Sequence, residues 1–248
     1  TFLFAMLLPY NRVMRNPTLK EEIKVKGLGD NYSFGFPLYA VGQTADILYD
    51  AYDIPKLKTL DIIVSTQGSA YTQTIYPKLR QADWTGYWID AASHLRLETD
   101  SLIALDPINH NQLTQGLHSG IKTYIGGNCT VSLMLLALDG LLKEQLIDWI
   151  TVSTYQAISG AGANAIQELF SQYKQLAPLF PDLTSPHLDS LHLEQNSHHL
   201  LKQSHCPTHH IGALLATNVL PWIDDEQENG QTKEEWKGMS ESNKILGY

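Results

Sequence analysis

The chain is short of cysteine, of positive charge and of long apolar runs, and each shortage removes a class of protein. Cys129 and Cys206 are the two cysteines in 248 residues, too few for a disulfide framework. That favours a reducing, cytoplasmic setting. Lys and Arg number 17 against 26 Asp and Glu, a formal net charge of −9. Nucleic-acid binding, whose usual footprint is a basic patch, is therefore not expected. The apolar opening, Thr1 to Leu8, is too short to span a bilayer and lacks the basic flank of a secretory signal. No membrane partner is expected. There is no internal repeat, and the first residue is not Met, which leaves the true start open. What is left is the composition of a globular protein with room for one large domain or two modest ones.

From Asp46 onward the pattern alternates. A short helix with an early proline covers Ile54 to Leu60, and Asp61 to Ser65 reads as a buried strand. Thr66-Gln67-Gly68-Ser69 follows, then a helix from Tyr71 to Arg80. Gly86 to Asp90 is an aromatic strand, Ser101 to Leu105 a third apolar run, Asn109 to Gly116 a helix, and Tyr124-Ile125 a last strand. Strands alternating with helices imply a parallel sheet with ligands at the carboxyl ends of its strands. Gln67, Gly68, Arg96 and Cys129 all lie just past such ends. The second half begins with a β-rich run from Leu146 to Tyr155, then a helix from Asn164 to Leu176. A loop-rich stretch, 181–210, holds seven of the ten histidines (187, 192, 198, 199, 205, 209 and 210). Thr232 with Glu235 three residues on makes a capping box for a last helix, Lys233 to Ile245. Before Asp46 little is legible: Leu19 to Ile23 suits a helical turn or two, and Lys26 to Asn31 a loop. Gly27 and Gly29 follow no apolar strand, so they make no dinucleotide motif.

The stretch that carries chemistry is Gly126-Gly127-Asn128-Cys129-Thr130, followed by the apolar run Leu133 to Leu142. It reads as a glycine turn that lets a ligand approach the backbone, an Asn N-cap, and a buried helix with a cysteine in its first turn. First-turn amides favour a thiolate, which makes Cys129 a candidate nucleophile. A small buried hydrophobe accounts for the same residue. Arg96 suits a phosphate or carboxylate, or an ion pair with Glu98. Gln156 suits a substrate carboxylate or a backbone cap, and Glu234 with Lys237 a ligand pair or an exposed helix pair. His205-Cys206-Pro207-Thr208-His209-His210 offers a single thiol, short of what structural zinc requires, so no metal site is expected.

Asp90-Ala91-Ala92-Ser93 with Arg96, the Cys129 turn, Tyr155-Gln156-Ala157 with Ser159-Gly160, and Glu234-Glu235-Trp236-Lys237-Gly238 occur together in this order. The set resembles aspartate-semialdehyde dehydrogenase of the Gram-negative form over Asp46 to Leu246. The resemblance implies a cytoplasmic, homodimeric enzyme that interconverts 4-phospho-L-aspartate and L-aspartate 4-semialdehyde with NADP, on the route to lysine, threonine and methionine. It implies Cys129 as the nucleophile that forms a thioester and Gln156 as a substrate holder, with Asn128 beside them. Arg96 and Lys237 become the phosphate site, Glu234 the partner of the substrate ammonium, and Gln67, Gly68, Ser159 and Gly160 cofactor contacts. It implies a Rossmann-like NADP-binding domain over 1–127, divergent in its first 45 residues, and an α+β catalytic and dimerisation domain over 128–248.

Three departures accompany the resemblance. The family's glycine-rich phosphate turn and its small-hydroxyl turn are not found in residues 1–45. Its substrate-gripping arginine and acid/base histidine lie beyond the position of Tyr248, and Ile158 and Ala161 interrupt its glycine run. Loss of a general acid/base costs about 10²–10⁴ in rate, so this chain alone is expected to turn over little. The rival readings are an inactive remnant that keeps the fold, a metal-binding histidine module, and a hydrolase built on Cys129.

Overall fold

The computed structural model describes residues 2–4, 50–179, 189–202 and 206–248. The expectations for Leu19 to Ile23, for Lys26 to Asn31 and for the missing phosphate turn lie outside those residues, as do His187 and His205. The described chain divides into two compact units, one of residues up to Asp148 together with Glu235–Tyr248, the other Trp149–Glu234. The packing divides after Asp148 and again before Glu235. The helix that starts at Cys129 buries Val131 and Leu135 with Ile103 of a strand and Ile245 of the last helix, which ties it to the sheet.

The first unit is a five-stranded parallel sheet in the order β1-β2-β3-β5-β4. Its strands are β1 (Phe2–Phe4), β2 (Ile62–Ser65), β3 (Tyr87–Asp90), β4 (Ser101–Ala104) and β5 (Thr123–Gly126). Val64 sits beside Ile89, and Asp90 beside Ile125, so the strands reach their carboxyl ends at one edge. Helix α1 (Ile54–Leu57) opens on Pro55, with the Asp53 carboxylate accepting the Lys56 amide. A missing proline N–H costs nothing at that position. Helix α2 (Ser69–Gln81) buries Tyr71, Thr72, Ile75 and Leu79, one helical face. That face packs with Ile63, Trp88 and Ile125 of the sheet, where Trp88 and Ile125 are fully buried. Helix α3 (His110–His118) follows β4. The parallel α/β architecture expected from the alternation is what forms.

Helix α4 (Cys129–Lys143) departs from expectation. It is buried along one face only: Leu133 is 70% exposed, and Leu136 and Leu141 are also exposed. A helix apolar all round has more apolar surface than one neighbouring layer covers.

The second unit is helical among its described residues. Helices α5 (Ala163–Gln175) and α6 (Ser190–Leu201) enclose Leu176, Leu179, Leu201, Cys206 and Ala216. The strand expected over Leu146 to Tyr155 does not form: residues 149–157 have no regular structure and Tyr155 is 93% exposed. A strand needs a neighbour to take its backbone hydrogen bonds. Among the described residues of this unit the β-pairing is a single bridge, Glu226 to Thr232. The stretch read as loop also changes: Asp189 accepts the Leu191 and His192 amides and starts α6. The last helix, α7 (Lys233–Leu246), begins directly after buried Thr232.

Candidate functional site

Strand β5 delivers the chain to the edge where β2 and β3 also end, and the cysteine turn follows at once. The Asn128 side-chain oxygen accepts the Val131 amide at 3.1 Å. This N-cap leaves Cys129 as the first helical residue, and it is exposed. Partial positive charge from the first-turn amides is therefore presented with an accessible sulfur. Packing also requires glycine at Gly127: a Cβ there would lie 2.7 Å from Ser132 Oγ and 3.3 Å from Ile103 Cγ2. Its missing side chain serves close packing of the turn on its own helix. At Gly126 an added Cβ would meet only ordinary contacts, at 3.7 Å from Asp90 O.

The loop after β3 is anchored by Asp90, which is buried. Its carboxylate accepts from Thr72 Oγ1, from Trp88 Nε1 at 3.1 Å and from the Ala92 amide at 2.9 Å. That loop brings Arg96 under the cysteine turn. Arg96 Nε donates to Gly126 O at 2.8 Å, Nη2 to Ala91 O at 3.4 Å, and Nη1 to Glu241 Oε1 at 2.9 Å. The other Glu241 oxygen accepts the Asn128 amide at 2.8 Å. The pair expected with Glu98 is not what forms. Arg96 and Glu241 are both buried, so removing one partner alone costs about 3–5 kcal/mol.

Lys237 precedes Glu241 by one turn of α7 and is half-buried. Residues 234, 237, 241 and 245 follow one another at three- and four-residue spacing, so they form one stripe on that helix. Ile245 of the stripe is in the core with Ile103 and Val131. Lys244 fixes the helix further, donating to Glu98 O at 2.6 Å and to Ser101 Oγ at 3.1 Å. Burial lowers the Lys244 ammonium below its ordinary value, against the opposing pull of Asp100 and Glu98.

At the end of β2, Gln67 and Gly68 are exposed, and Gly68 takes φ +89° with open space where a Cβ would be. The α2 N-terminus beside it has no side-chain cap, and Ser69 Oγ lies 3.3 Å from Ser93 Oγ. A helix start without a side-chain cap, at the carboxyl edge of a parallel sheet, suits an anionic group.

In the second unit Gln156 Nε2 lies 3.2 Å from Thr154 Oγ1 and 3.2 Å from Glu234 Oε1. Two residues singled out separately in sequence are thus in contact. Ser159 and Gly160 sit in a one-turn helix, Ile158–Ala161, exposed and with nothing crowding Gly160. Two polar residues of α5 are buried. Glu168 accepts the His210 and Ile211 amides at 2.8 Å each. Gln172 accepts those of Leu215 and Ala216 and donates to Pro207 O and Ala213 O. Their four-residue spacing on an otherwise apolar face was the available signal. Burial pushes the Cys206 thiol up, and Glu168 adds to the rise, so this cysteine is an inert part of the core. Among the described residues no group of three or more His, Cys, Asp or Glu could hold a metal ion. No described helix is long and apolar enough to cross a membrane.

The semialdehyde dehydrogenase NAD-binding domain matches residues 20–116 and the semialdehyde dehydrogenase dimerisation domain residues 138–248. The structure of aspartate semialdehyde dehydrogenase from Francisella tularensis is 50% identical with a TM-score of 0.76, covering 81% of this chain and 54% of that one. Aspartate semialdehyde dehydrogenase II from Vibrio cholerae, complexed with ASA, shares the fold at TM-score 0.60 and 24% identity. A second structure of that enzyme is 25% identical with a TM-score of 0.58. Each covers 83% of this chain and 51% of its own. The chain thus spans about half the length of these solved relatives. With both domains matched and a half-identical structural relative, the chain belongs to the semialdehyde dehydrogenase family of oxidoreductases.

Proposed function

We propose that the chain carries the nucleophile and the anion wall of an NADP-dependent aspartate-semialdehyde dehydrogenase, which converts 4-phospho-L-aspartate to L-aspartate 4-semialdehyde for lysine, threonine and methionine synthesis. One observation carries the reading: Cys129 is exposed at the capped start of a 15-residue helix, at the sheet edge where Arg96 is held. The Cys129 thiolate attacks the acyl-phosphate carbon, a C–S bond forms, and the C–O bond to phosphate breaks with its electron pair leaving on phosphate. Arg96 and Lys237 take up the charge of that phosphate. NADPH, when bound, supplies the hydride that reduces the thioester. The sulfur then departs as thiolate, a good leaving group for the same reason that it is a good nucleophile at a helix start.

Gln156 orients the substrate and Glu234 pairs with its ammonium, a division of labour supported by their mutual contact. Gln67, Gly68, Ser159 and Gly160 serve the cofactor, with NADP in preference to NAD. The dimerisation-domain match over 138–248 supports a homodimer. Two free cysteines suit the cytoplasm.

Intact-mass spectrometry after exposure to 4-phospho-L-aspartate tests the central step. An aspartyl adduct on Cys129 is expected, lost in Cys129→Ser while the melting temperature holds, since the sulfur is exposed. An adduct-free chain, or an adduct that survives in the serine variant, overturns the assignment.

A further inference from the structure

We propose that Glu241 is a positioning residue for the anion site, acting through Arg96 and through the N-cap of the cysteine helix; this rests on the reading of Arg96 as an anion-binding residue. The carboxylate divides its oxygens between two partners, Arg96 Nη1 at 2.9 Å and the Asn128 amide at 2.8 Å. One rigid group therefore joins the guanidinium to the amide immediately before Cys129. Glu241 is 2% exposed and Arg96 8%, so the carboxylate is shielded from water while part of the guanidinium reaches the surface. Gly126 O and Ala91 O take two further donors and fix the plane of the guanidinium. A guanidinium has five N–H donors, more than the three bonds made here, so its orientation decides where the others point. The same helix carries Lys237 one turn away from Glu241, so the contact that sets Arg96 also sets the register of the second cation.

The test follows alkylation of the Cys129 peptide by iodoacetamide, with inorganic phosphate as the protecting probe, on the whole chain. Phosphate protects the unmodified chain. In Glu241→Gln the concentration needed rises about tenfold, the loss that goes with one charge-assisted hydrogen bond. Glu241→Asp keeps the charge one methylene shorter and recovers part of the protection. A purely structural ion pair moves the melting temperature without moving the phosphate requirement. Unchanged protection in a folded Glu241→Gln chain overturns the positioning role, as does failure of both variants to melt cooperatively. A parent chain that phosphate does not protect overturns the anion reading of Arg96 itself, and this inference with it.

Discussion

In residues 50–148 the runs rich in Ile, Val and aromatics lie against parallel neighbours, with Ile63 beside Trp88 and Ile89 beside Tyr124. The run Trp149 to Tyr155 has the same composition and no such neighbour among the described residues; Trp149 is 78% exposed while Trp88 is wholly buried. Helices show no such contrast, and α5 and α6 form in the second unit as α2 and α4 do in the first. A helix closes its hydrogen bonds within its own segment, whereas a strand closes them on another strand. The same residue type is therefore core in one unit and surface in the other, by virtue of what lies beside it.

Substitution of the two tryptophans sharpens that comparison. Trp88→Ala should destabilise the first unit by about 3–5 kcal/mol, read as a large loss in the urea midpoint. Glu168→Gln probes what replaces strand pairing in the second unit. Burial raises the Glu168 carboxyl, but the amides of His210, Ile211 and His209 together with the His210 ring hold it below its ordinary value of 4.5. A carboxyl lowered in the folded state stabilises fully above its unfolded value and loses that contribution as the pH falls through its folded value. The variant should lose roughly 1–3 kcal/mol near neutrality and show a flatter acid limb in unfolding followed across pH. Gly127→Ala should cost about 1–2 kcal/mol, because Ser132 must turn aside and Ile103 must give. Trp149→Ala should change the urea midpoint by less than about 0.5 kcal/mol; a larger loss would mean that this exposed run is covered in solution.

The site was legible in parts. Cys129 was read from a glycine turn, an Asn cap and an apolar run, all local, and the helix starts where that reading put it. The capping box at Thr232 marked the start of α7 for the same reason. What escaped was long-range: Arg96 and Glu241 are 145 positions apart, and the Asn128 amide and Glu241 are 113 apart. Periodicity reports only on neighbours within a turn or two. The spacing of Glu234 and Lys237 marks them as a pair, while nothing local sets Glu241, on the same stripe, apart from an ordinary surface carboxylate. The glycines of the cysteine turn suggest a close-approaching ligand in sequence, and packing adds a second reason for Gly127.

The order of residues alone determined the alternating strands and helices, the capped helix with a sulfur at its start, and the short proline-led helix before β2. Each depends on dihedral preferences and hydrogen bonds within a few residues. Tertiary structure alone decided that Arg96 is locked to Glu241, that the apolar run after Asp148 has no strand neighbour among the described residues, and that Glu168 and Gln172 bind backbone. Those outcomes turn on which distant groups meet away from water, where an unpaired charge or amide is too costly to leave alone.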